Sequence, residues 1–279
     1  MTRTLHGAKD RTSLKYITAH STPIHVADCT ARKNEYRGKN ILITGASSGI
    51  GAALAQLFIA GGATVYNLDK MDAIAPDQFA SRRQSVSPNL HFVRCDLCNP
   101  ASINSAAATL TSHKLRKIRI DIFVSNAGIM TRGDVLSVTT RDAATSYAVF
   151  VEGPRLLLKK LLDSESQQGC LSKRLRIVHI SSMHASFHDK MPGIYALHKI
   201  LAEEMLELSL RQQWSLITCY FGHVDTALTR KGKSARAYAA QKQGRISAEK
   251  AASLVNSCLR LHARALVYDR QSATYSIKQ

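Results

Sequence analysis

The amino-acid sequence predicts an α/β fold, a doubly wound parallel β-sheet with helices on both faces. Short apolar runs alternate with segments of helical periodicity along most of the chain, which is the pattern of parallel strands joined by helical crossovers. In addition, the run Ile41-Leu42-Ile43 leads through a glycine-rich turn into a helical pattern. That order is typical of the first half of a βαβ unit.

The predicted strands are short and apolar. In chain order they span Asn40–Thr44, Ala63–Leu68, Leu90–Arg94, Asp121–Ser125, Leu175–Ser181, Ser215–Phe221 and Ala265–Tyr268. The predicted helices span Ala52–Ala60, Pro100–Lys117, Thr139–Leu162 with a bend at Pro154, Ile194–Trp214 and, after Ser247 as N-cap, the residues up to about His262. Because the two long helices carry more apolar surface than one sheet face can cover, we expect a homodimer or homotetramer.

Composition limits the class of protein. The chain has 279 residues, enough for one α/β domain, and no run approaches the length of a membrane span. Six cysteines without regular spacing predict free thiols in a reducing compartment, and with no signal-peptide core near Met1 we expect a cytoplasmic protein. The formal net charge of +18 favours anionic partners. A recognisable nucleic-acid-binding module is absent from the sequence, so nucleic acid is the less favoured partner.

Residues 1–38 contain few clustered apolar side chains and no clear period. We therefore expect an N-terminal extension that is partly disordered and lies outside the core. Residues 39–279 are predicted to form a single domain.

The glycine-rich turn at residues 44–51 is suited to binding a pyrophosphate. Gly45 allows a tight turn off the strand, and Gly49 allows close approach of the backbone. The following helix directs free N–H groups and the positive end of its dipole at the phosphates. We therefore predict a Rossmann-type dinucleotide site that includes Ser47, Ser48 and Ile50.

Asp69 ends the second predicted strand about twenty residues after the turn, where a carboxylate accepts hydrogen bonds from an adenosine ribose. Its charge would repel a 2′-phosphate, so NAD(H) is favoured over NADP(H). Lys70 is the next residue and keeps NADP(H) as the alternative.

Three later motifs complete a set with this turn: Asn126-Ala127-Gly128, Ser181-Ser182, and the pair Tyr195 and Lys199. In this order and spacing they resemble the short-chain dehydrogenase/reductase family over roughly residues 39–270. The resemblance implies that Asp96 and Leu97 contact adenine, that Asn126 braces the sheet centre, and that residues 226–246 form a lid over the substrate. It also implies cofactor contacts from Ala127, Gly128, Tyr195, Lys199, Gly222, Val224 and Thr226.

The catalytic residues follow from the chemistry of carbonyl reduction, which needs a proton for oxygen and a hydride for carbon. Tyr195 is a suitable acid, and Lys199 lies one helical turn away on the same face. A cation within about 4–6 Å favours the phenolate by roughly 1–3 pKa units. Ser182 can hydrogen-bond the substrate oxygen.

Two residues depart from the family pattern. Phe150 occupies the position where the family usually has an asparagine that holds a water in the proton relay, and Phe221 replaces a proline before Gly222. His184 and His188 could supply a substitute proton path or contact the substrate; as loop histidines, they could equally be plain surface residues.

The sequence thus favours an NAD(H)-dependent oxidoreductase that interconverts a secondary alcohol and a ketone. The alternative is a cofactor-binding regulatory or scaffold protein with vestigial catalysis, for which Phe150 is the main support. Six cations within residues 230–245, beginning with Arg230, lie in the predicted lid without any acidic residue. This charge predicts an anionic or carrier-bound substrate, although a solvated, mobile loop would have the same composition.

Overall fold

A computed structural model describes residues 22–23, 31–70, 87–112, 118–163, 170–186, 193–230, 245–269 and 274–278. Its strands are β1 (Thr22–Pro23), β2 (Asn40–Thr44), β3 (Thr64–Asp69), β4 (Leu90–Arg94), β5 (Ile120–Ser125), β6 (Leu171–Ser182), β7 (Ser215–Phe221), β8 (Val224–Asp225), β9 (Ile246–Ser247), β10 (Ala265–Asp269) and β11 (Thr274–Lys278). Its α-helices are α1 (Gly49–Ala60), α2 (Pro100–Thr111), α3 (Thr140–Tyr147), α4 (Gly153–Asp163), α5 (Met183–Ser186), α6 (Ile194–Leu208), α7 (Ala227–Arg230) and α8 (Ala248–Leu261).

The main sheet confirms the predicted doubly wound fold. Within the described residues its strand order is β1-β11-β10-β7-β6-β5-β2-β3-β4. The strands from β4 to β10 are parallel, and β2 pairs with β3 on one side and β5 on the other. The chain therefore reverses its direction of winding beside β2, and a crevice forms there at the carboxyl ends of the strands.

One edge of the sheet differs from the prediction. Ala265–Tyr268 was expected to be the last strand, but β11 follows it, and pairs antiparallel with both β10 and β1. The sequence of β11, TYSIK, alternates polar and apolar residues; its Ile277 and Lys278 are buried, and Tyr275 packs against the core. Because β11 contains no continuous apolar run, the apolar-run criterion missed it.

The core has two layers, one on each face of the sheet. Successive residues of β2 point to opposite faces: Ile41 and Ile43 join the layer beneath α1 and α8, whereas Leu42 joins the layer beneath α2, α4 and α6. This arrangement explains why the central strands are apolar throughout.

The long helix predicted over Thr139–Leu162 contains an irregular turn. Helix α3 is followed by a π-helical turn at Ala148–Glu152, and α4 begins at Gly153. The irregularity was predicted at Pro154 but lies just before it. Proline has no N–H to donate to the preceding turn, and the amide of Gly153 bonds to the carbonyl of Ala148, five residues back.

Several other boundaries differ from those predicted. Helix α6 ends at Leu208 rather than Trp214, and β6 begins at Leu171 rather than Leu175. Helix α2 ends at Thr111, whereas the prediction continued to Lys117. The predicted start of α8 is confirmed, since the Ser247 hydroxyl accepts a hydrogen bond from the Lys250 amide at 3.1 Å.

The fold extends upstream of Lys39. Tyr36 was predicted to lie outside the core, yet its side chain is only 6% exposed and packs edge-on against Phe58, with ring centroids 4.9 Å apart. Its hydroxyl donates to Asn256 in α8. For the part of residues 1–38 that the structure does not describe, a disordered extension stays a prediction. In the described part of the chain, every helix is too short or too polar to cross a bilayer.

Candidate active site

The glycine-rich turn between β2 and α1 forms one wall of a cleft of about 600 Å³. Gly45 has φ +72°, and a Cβ there would lie 2.9 Å from the Cα of Ala127. A Cβ at Gly51 would lie 2.4 Å from the carbonyl oxygen of Gly45. Only glycine fits either position, so the turn lies directly against the loop after β5 and the start of α1 packs against it.

Asn67 in β3 holds this turn in place from below. Its Oδ1 accepts a hydrogen bond from the amide of Ala46 at 2.9 Å, and its Nδ2 donates to the hydroxyl of Ser47 at 3.0 Å. The sequence analysis missed this residue. The available signal was the asparagine in the middle of the predicted strand TVYNLD. A central strand is buried, and a buried amide needs hydrogen-bond partners.

Asp69 lies at the carboxyl end of β3 and lines the cleft beside Ser48 and Lys70. Its Oδ2 accepts a hydrogen bond from the amide of Ser47 at 3.2 Å. The carboxylate thus adjoins the turn that would hold the phosphates, as expected for a group that binds the adenosine ribose.

Asn126 and Thr44 connect the ends of β5 and β2. The Nδ2 of Asn126 donates to the carbonyl oxygens of Thr44 and Gly45, both at 2.9 Å. In return, the hydroxyl of Thr44 accepts from the amides of Asn126 and Ala127 at 3.1 Å. These four bonds fix the two strand ends where the crevice opens.

The turn after β7 meets the glycine-rich turn across the cleft. A Cβ at Gly49 would lie 3.2 Å from the side chain of Thr226, which shows how closely the two turns approach. From below, the hydroxyl of Tyr275 in β11 accepts a hydrogen bond from the amide of Gly222 at 3.2 Å, and its ring packs on Phe221. Because β11 was not predicted, this support for the turn was missed.

Ser182, Tyr195 and Lys199 meet at the inner end of the cleft. Ser182 ends β6, and Tyr195 and Lys199 lie in the first turns of α6. The Ser182 hydroxyl accepts a hydrogen bond from the amide of His184 at 3.3 Å, and it lies close enough to Tyr195 to lower the pKa of that phenol. The Nζ of Lys199 donates to the carbonyl oxygen of Ile180 at 2.7 Å and lies 6.0 Å from the Tyr195 ring centroid.

Burial controls the protonation of this group. It raises the pKa of Tyr195 to about 12, against the opposing effect of the Ser182 hydroxyl. It also lowers the pKa of Lys199 to about 7. The sequence analysis expected the lysine charge to lower the pKa of the tyrosine. In the structure, desolvation of the phenol is the larger effect.

Phe150 fills the space behind these residues. Its ring lies 4.4 Å from Nζ of Lys199, packs edge-on against Tyr195 with 5.5 Å between centroids, and would be 3.1 Å from a Cβ at Gly128. A cation over an aromatic face is stabilised by the ring quadrupole. The ring thus supplies a contact to Lys199 where the family pattern would have an amide.

The predicted site residues are brought together with few exceptions. Those that line the cleft are Gly45, Ser47, Ser48, Gly49, Ile50, Asp69, Asp96, Leu97, Asn126, Ala127, Gly128, Ser182, His184, Tyr195, Lys199, Gly222, Val224 and Thr226. His184 lies beside Tyr195, with 6.0 Å between ring centroids. Arg230 instead pairs with Asp225, 2.6 Å away, and the described lining of the cleft ends at Thr229. His188 and most of the predicted lid lie outside the described residues.

The cleft also contains side chains that the sequence analysis did not select, among them Met130, Arg132, Val149, Met183, His223 and Leu228. They come from loops, from the π-helical turn and from the short helices α5 and α7, where neither periodicity nor a motif marks a lining residue. The cleft therefore combines an apolar wall with a few cationic groups.

A family model described as short chain dehydrogenase matches residues 39–237. The chain belongs to the short chain dehydrogenase family. The Oxidoreductase UcpA of Salmonella typhimurium is 32% identical over 163 residues, 58% of this chain and 59% of that protein. The chain thus matches somewhat less than two thirds of the length of this curated relative.

Solved structures of the family share the fold. A 3-ketoacyl-(acyl-carrier-protein) reductase from Brucella melitensis complexed with NADH has a TM-score of 0.60 and 22% identity, and the match covers 85% of this chain and 93% of that one. A short chain dehydrogenase from Burkholderia cenocepacia in complex with NADP has a TM-score of 0.63 and 20% identity, covering 82% and 87%. At this identity the likeness concerns the fold alone.

Proposed function

We propose that the protein is an NAD(H)-dependent oxidoreductase that interconverts a secondary alcohol and a ketone. The observation that carries the proposal is the meeting of Ser182, Tyr195 and Lys199 at the inner end of a cleft whose outer wall is the glycine-rich turn. Membership of the short chain dehydrogenase family supports the same reaction class.

The residues of the cleft fit a nicotinamide dinucleotide. The turn is closely packed at Gly45 and Gly49, where a Cβ would lie 2.9 Å from Ala127 and 3.2 Å from Thr226, respectively. Helix α1 begins at Gly49, and the free amides of a first helical turn are suited to binding phosphates. Asp69 is suited to the adenosine ribose, and it would repel a 2′-phosphate. When bound, the nicotinamide ring supplies or accepts the hydride.

The chain's own residues handle the proton and the substrate oxygen. Tyr195 holds its proton across the physiological range, because its pKa is about 12, and can donate it to a developing alkoxide. Ser182 hydrogen-bonds the same oxygen and positions it. Lys199, with a pKa near 7, is poised to gain a charge when an anionic group enters the cleft, and that charge would then favour the phenolate.

A cofactor-binding regulatory protein is the second candidate, and Phe150 is the observation that favours it. Lys199 bonds to the Ile180 carbonyl, and Phe150 provides no polar group for a proton relay behind it. An anionic substrate remains a prediction from the charges of the lid. Among described residues, Arg132 adds one cation to the cleft lining.

The test combines cofactor binding with a substrate screen. NADH and NADPH are titrated by fluorescence, and each reduced cofactor is then incubated with a panel of ketones, including carboxylated and phosphorylated ones, while its absorbance is followed. We expect tighter binding of NADH and turnover of at least one ketone. Tyr195→Phe should abolish turnover, at least about a hundredfold, and leave cofactor affinity nearly unchanged.

The outcomes separate the candidates. Binding of NADH without turnover of any ketone would favour the regulatory protein. Tighter binding of NADPH would contradict the assignment of Asp69. Substantial activity in Tyr195→Phe would show that another group donates the proton.

A further inference from the structure

A second cavity, of about 710 Å³, lies at the amino ends of the parallel strands, on the opposite side of the sheet from their carboxyl ends. The cleft is formed at the carboxyl ends of the parallel strands. The second cavity is formed where β5 and β6 begin, at Arg119 and Ser172, together with the carboxyl end of α8 at Leu259. Its volume is within the range of roughly 300–1,000 Å³ that is typical of small-molecule sites.

The lining of this cavity is strongly basic. Two carboxylates, Glu35 and Asp121, contribute to it. Six cationic side chains also line it: Lys39, Arg119, Lys173, Arg174, Arg176 and Arg260. The sequence analysis noted the overall positive charge but did not place it here.

Both carboxylates are already engaged. Glu35 accepts a bidentate pair of hydrogen bonds from Arg260, at 2.8 and 2.7 Å, and these bonds hold the pKa of its carboxyl below the ordinary value. Asp121 accepts from Lys39 and from the amide of Asn40, both at 3.1 Å. Neither carboxylate is therefore available to neutralise the other cations.

The remaining four cations have no carboxylate partner within the described ranges. Arg119, Lys173 and Arg174 are exposed and form the rim of the cavity, whereas Arg176 is half-buried. The guanidinium of Arg176 donates to the carbonyl oxygen of Leu259, and burial lowers the pKa of this side chain. Burial removes part of the hydration of this guanidinium, and a hydrogen bond to a neutral carbonyl oxygen does not fully offset that loss.

We propose that this cavity binds a small molecule carrying two or more phosphate groups. Guanidinium groups form bidentate hydrogen bonds with phosphate oxygens, and several phosphates bring enough charge into a small volume to offset four neighbouring cations. The cavity is too large for a single phosphate, and the half-buried Arg176 gives it a cationic base beneath the exposed rim. The site is separate from the catalytic cleft and independent of the reaction proposed there.

Isothermal titration calorimetry with sodium tripolyphosphate, on the full chain at low ionic strength, tests the proposal. Tripolyphosphate is used because it lacks the adenosine that the catalytic cleft could bind. Inorganic phosphate is the second probe and should bind more weakly. Arg119→Gln/Arg174→Gln removes two exposed cations without disturbing the core, and Arg176→Gln removes the half-buried one.

We expect each of these variants to weaken tripolyphosphate binding about tenfold or more, because each removes charge-assisted hydrogen bonds to phosphate oxygens. Lys250→Gln is the matched control for Arg176→Gln. It removes one positive charge at the opposite end of α8, in its first turn, and should leave binding unchanged.

The proposal is overturned if tripolyphosphate does not bind to the wild-type chain. It is also overturned if binding survives unchanged in Arg119→Gln/Arg174→Gln, because the anion would then lie elsewhere, for instance at the glycine-rich turn. An equal loss in Lys250→Gln would mean that only net charge matters, and it would overturn the proposal as well. Since the rim variant changes only exposed side chains, its result stands even if Arg176→Gln fails to fold.

Discussion

Single residues decide the chemistry at the inner end of the cleft. Phe150 contacts Lys199, Tyr195 and the position of Gly128 at once, so its ring helps to bury the pair that would move the proton. This burial is a sufficient reason for the lowered pKa of Lys199 and the raised pKa of Tyr195. The motif predicted which side chains meet, but their protonation depends on desolvation by neighbours distant in sequence.

His179 in β6 is a buried imidazole behind this pair. Neither ring nitrogen makes a well-aligned hydrogen bond within the described chain, and only weaker contacts with the backbone of Lys199 and Ser125 oppose the effect of burial. Burial, together with the nearby charge of Lys199, lowers the pKa of His179 to about 3.

We predict that His179 makes the protein sensitive to acid. Between pH 6.5 and about 3 the unfolded chain binds a proton that the folded chain does not, so the free energy of unfolding falls as the pH falls. The slope from one proton is about 1.4 kcal/mol per pH unit. His179→Leu should flatten the pH dependence measured by urea unfolding. His262→Asn, at the exposed end of α8, should retain it; equal slopes in wild type and His179→Leu would contradict the assignment.

At the scale of elements, the cleft depends on contacts between the ends of strands. The glycine-rich turn is connected to β3 through Asn67 and to β5 through Asn126. The sequence predicted the turn because its glycines, the strand before it and the helix after it are neighbours along the chain. It did not predict Asn67, because an amide inside a strand acquires its role only when the neighbouring strand is known.

We predict that Asn67→Ala weakens NADH binding about tenfold with little change in secondary structure. The variant loses two hydrogen bonds that orient the amide of Ala46 and the hydroxyl of Ser47, and it leaves a buried donor without a partner, which costs roughly 1–3 kcal/mol. Fluorescence titration measures the affinity, and circular dichroism checks the fold. Asn89→Ala, an exposed residue before β4, is the control; equal affinities in the two variants would remove the role assigned to Asn67.

Helix α6 has an outward face that suggests self-association. Leu197 and Leu201, one turn apart, are 38% and 39% exposed, and Leu208 at the end of the helix is 83% exposed. Tyr147 in the neighbouring α3 is also exposed. A row of exposed large side chains on adjacent helices is typical of a surface that another subunit covers.

We predict that Leu197→Glu/Leu201→Glu converts a dimer or tetramer into a monomer, because two buried charges in an apolar interface would be uncompensated. Light scattering at micromolar concentration measures the mass of both proteins. Val135→Glu, which changes an exposed apolar residue in the loop before α3, should keep the wild-type mass. A monomeric wild-type chain would contradict the prediction.

At the scale of the whole molecule, the order of the parallel strands and helices follows from local patterns. The extra edge formed by β11 and β1 does not. An antiparallel strand without a continuous apolar run produces no strong signal, and Thr22 and Pro23 acquire their role only by pairing with Ile277 and Ser276. Contacts between residues more than two hundred positions apart cannot be read from periodicity, which describes neighbours along one element.

Tyr36 connects the two ends of the chain and is the clearest case of such a contact. It belongs to the same core layer as α8, donates a hydrogen bond to Asn256, and adjoins Glu35, which pairs with Arg260. The segment before β2 is thereby joined to the last long helix. Folding of the domain should therefore depend on a residue that composition assigned to an extension.

We predict that Tyr36→Ala lowers the free energy of unfolding by about 3–5 kcal/mol, the usual cost of emptying a buried aromatic position. Tyr36→Phe keeps the ring against Phe58 but removes the hydroxyl that donates to Oδ1 of Asn256, so the loss should be about 1–3 kcal/mol. Urea unfolding measures both values, with Leu136→Ala, at a side chain that is 96% exposed, as the control that should change little. If Tyr36→Ala were as stable as Leu136→Ala, residues before Lys39 would contribute nothing to the core, and the boundary expected from composition would be the correct one.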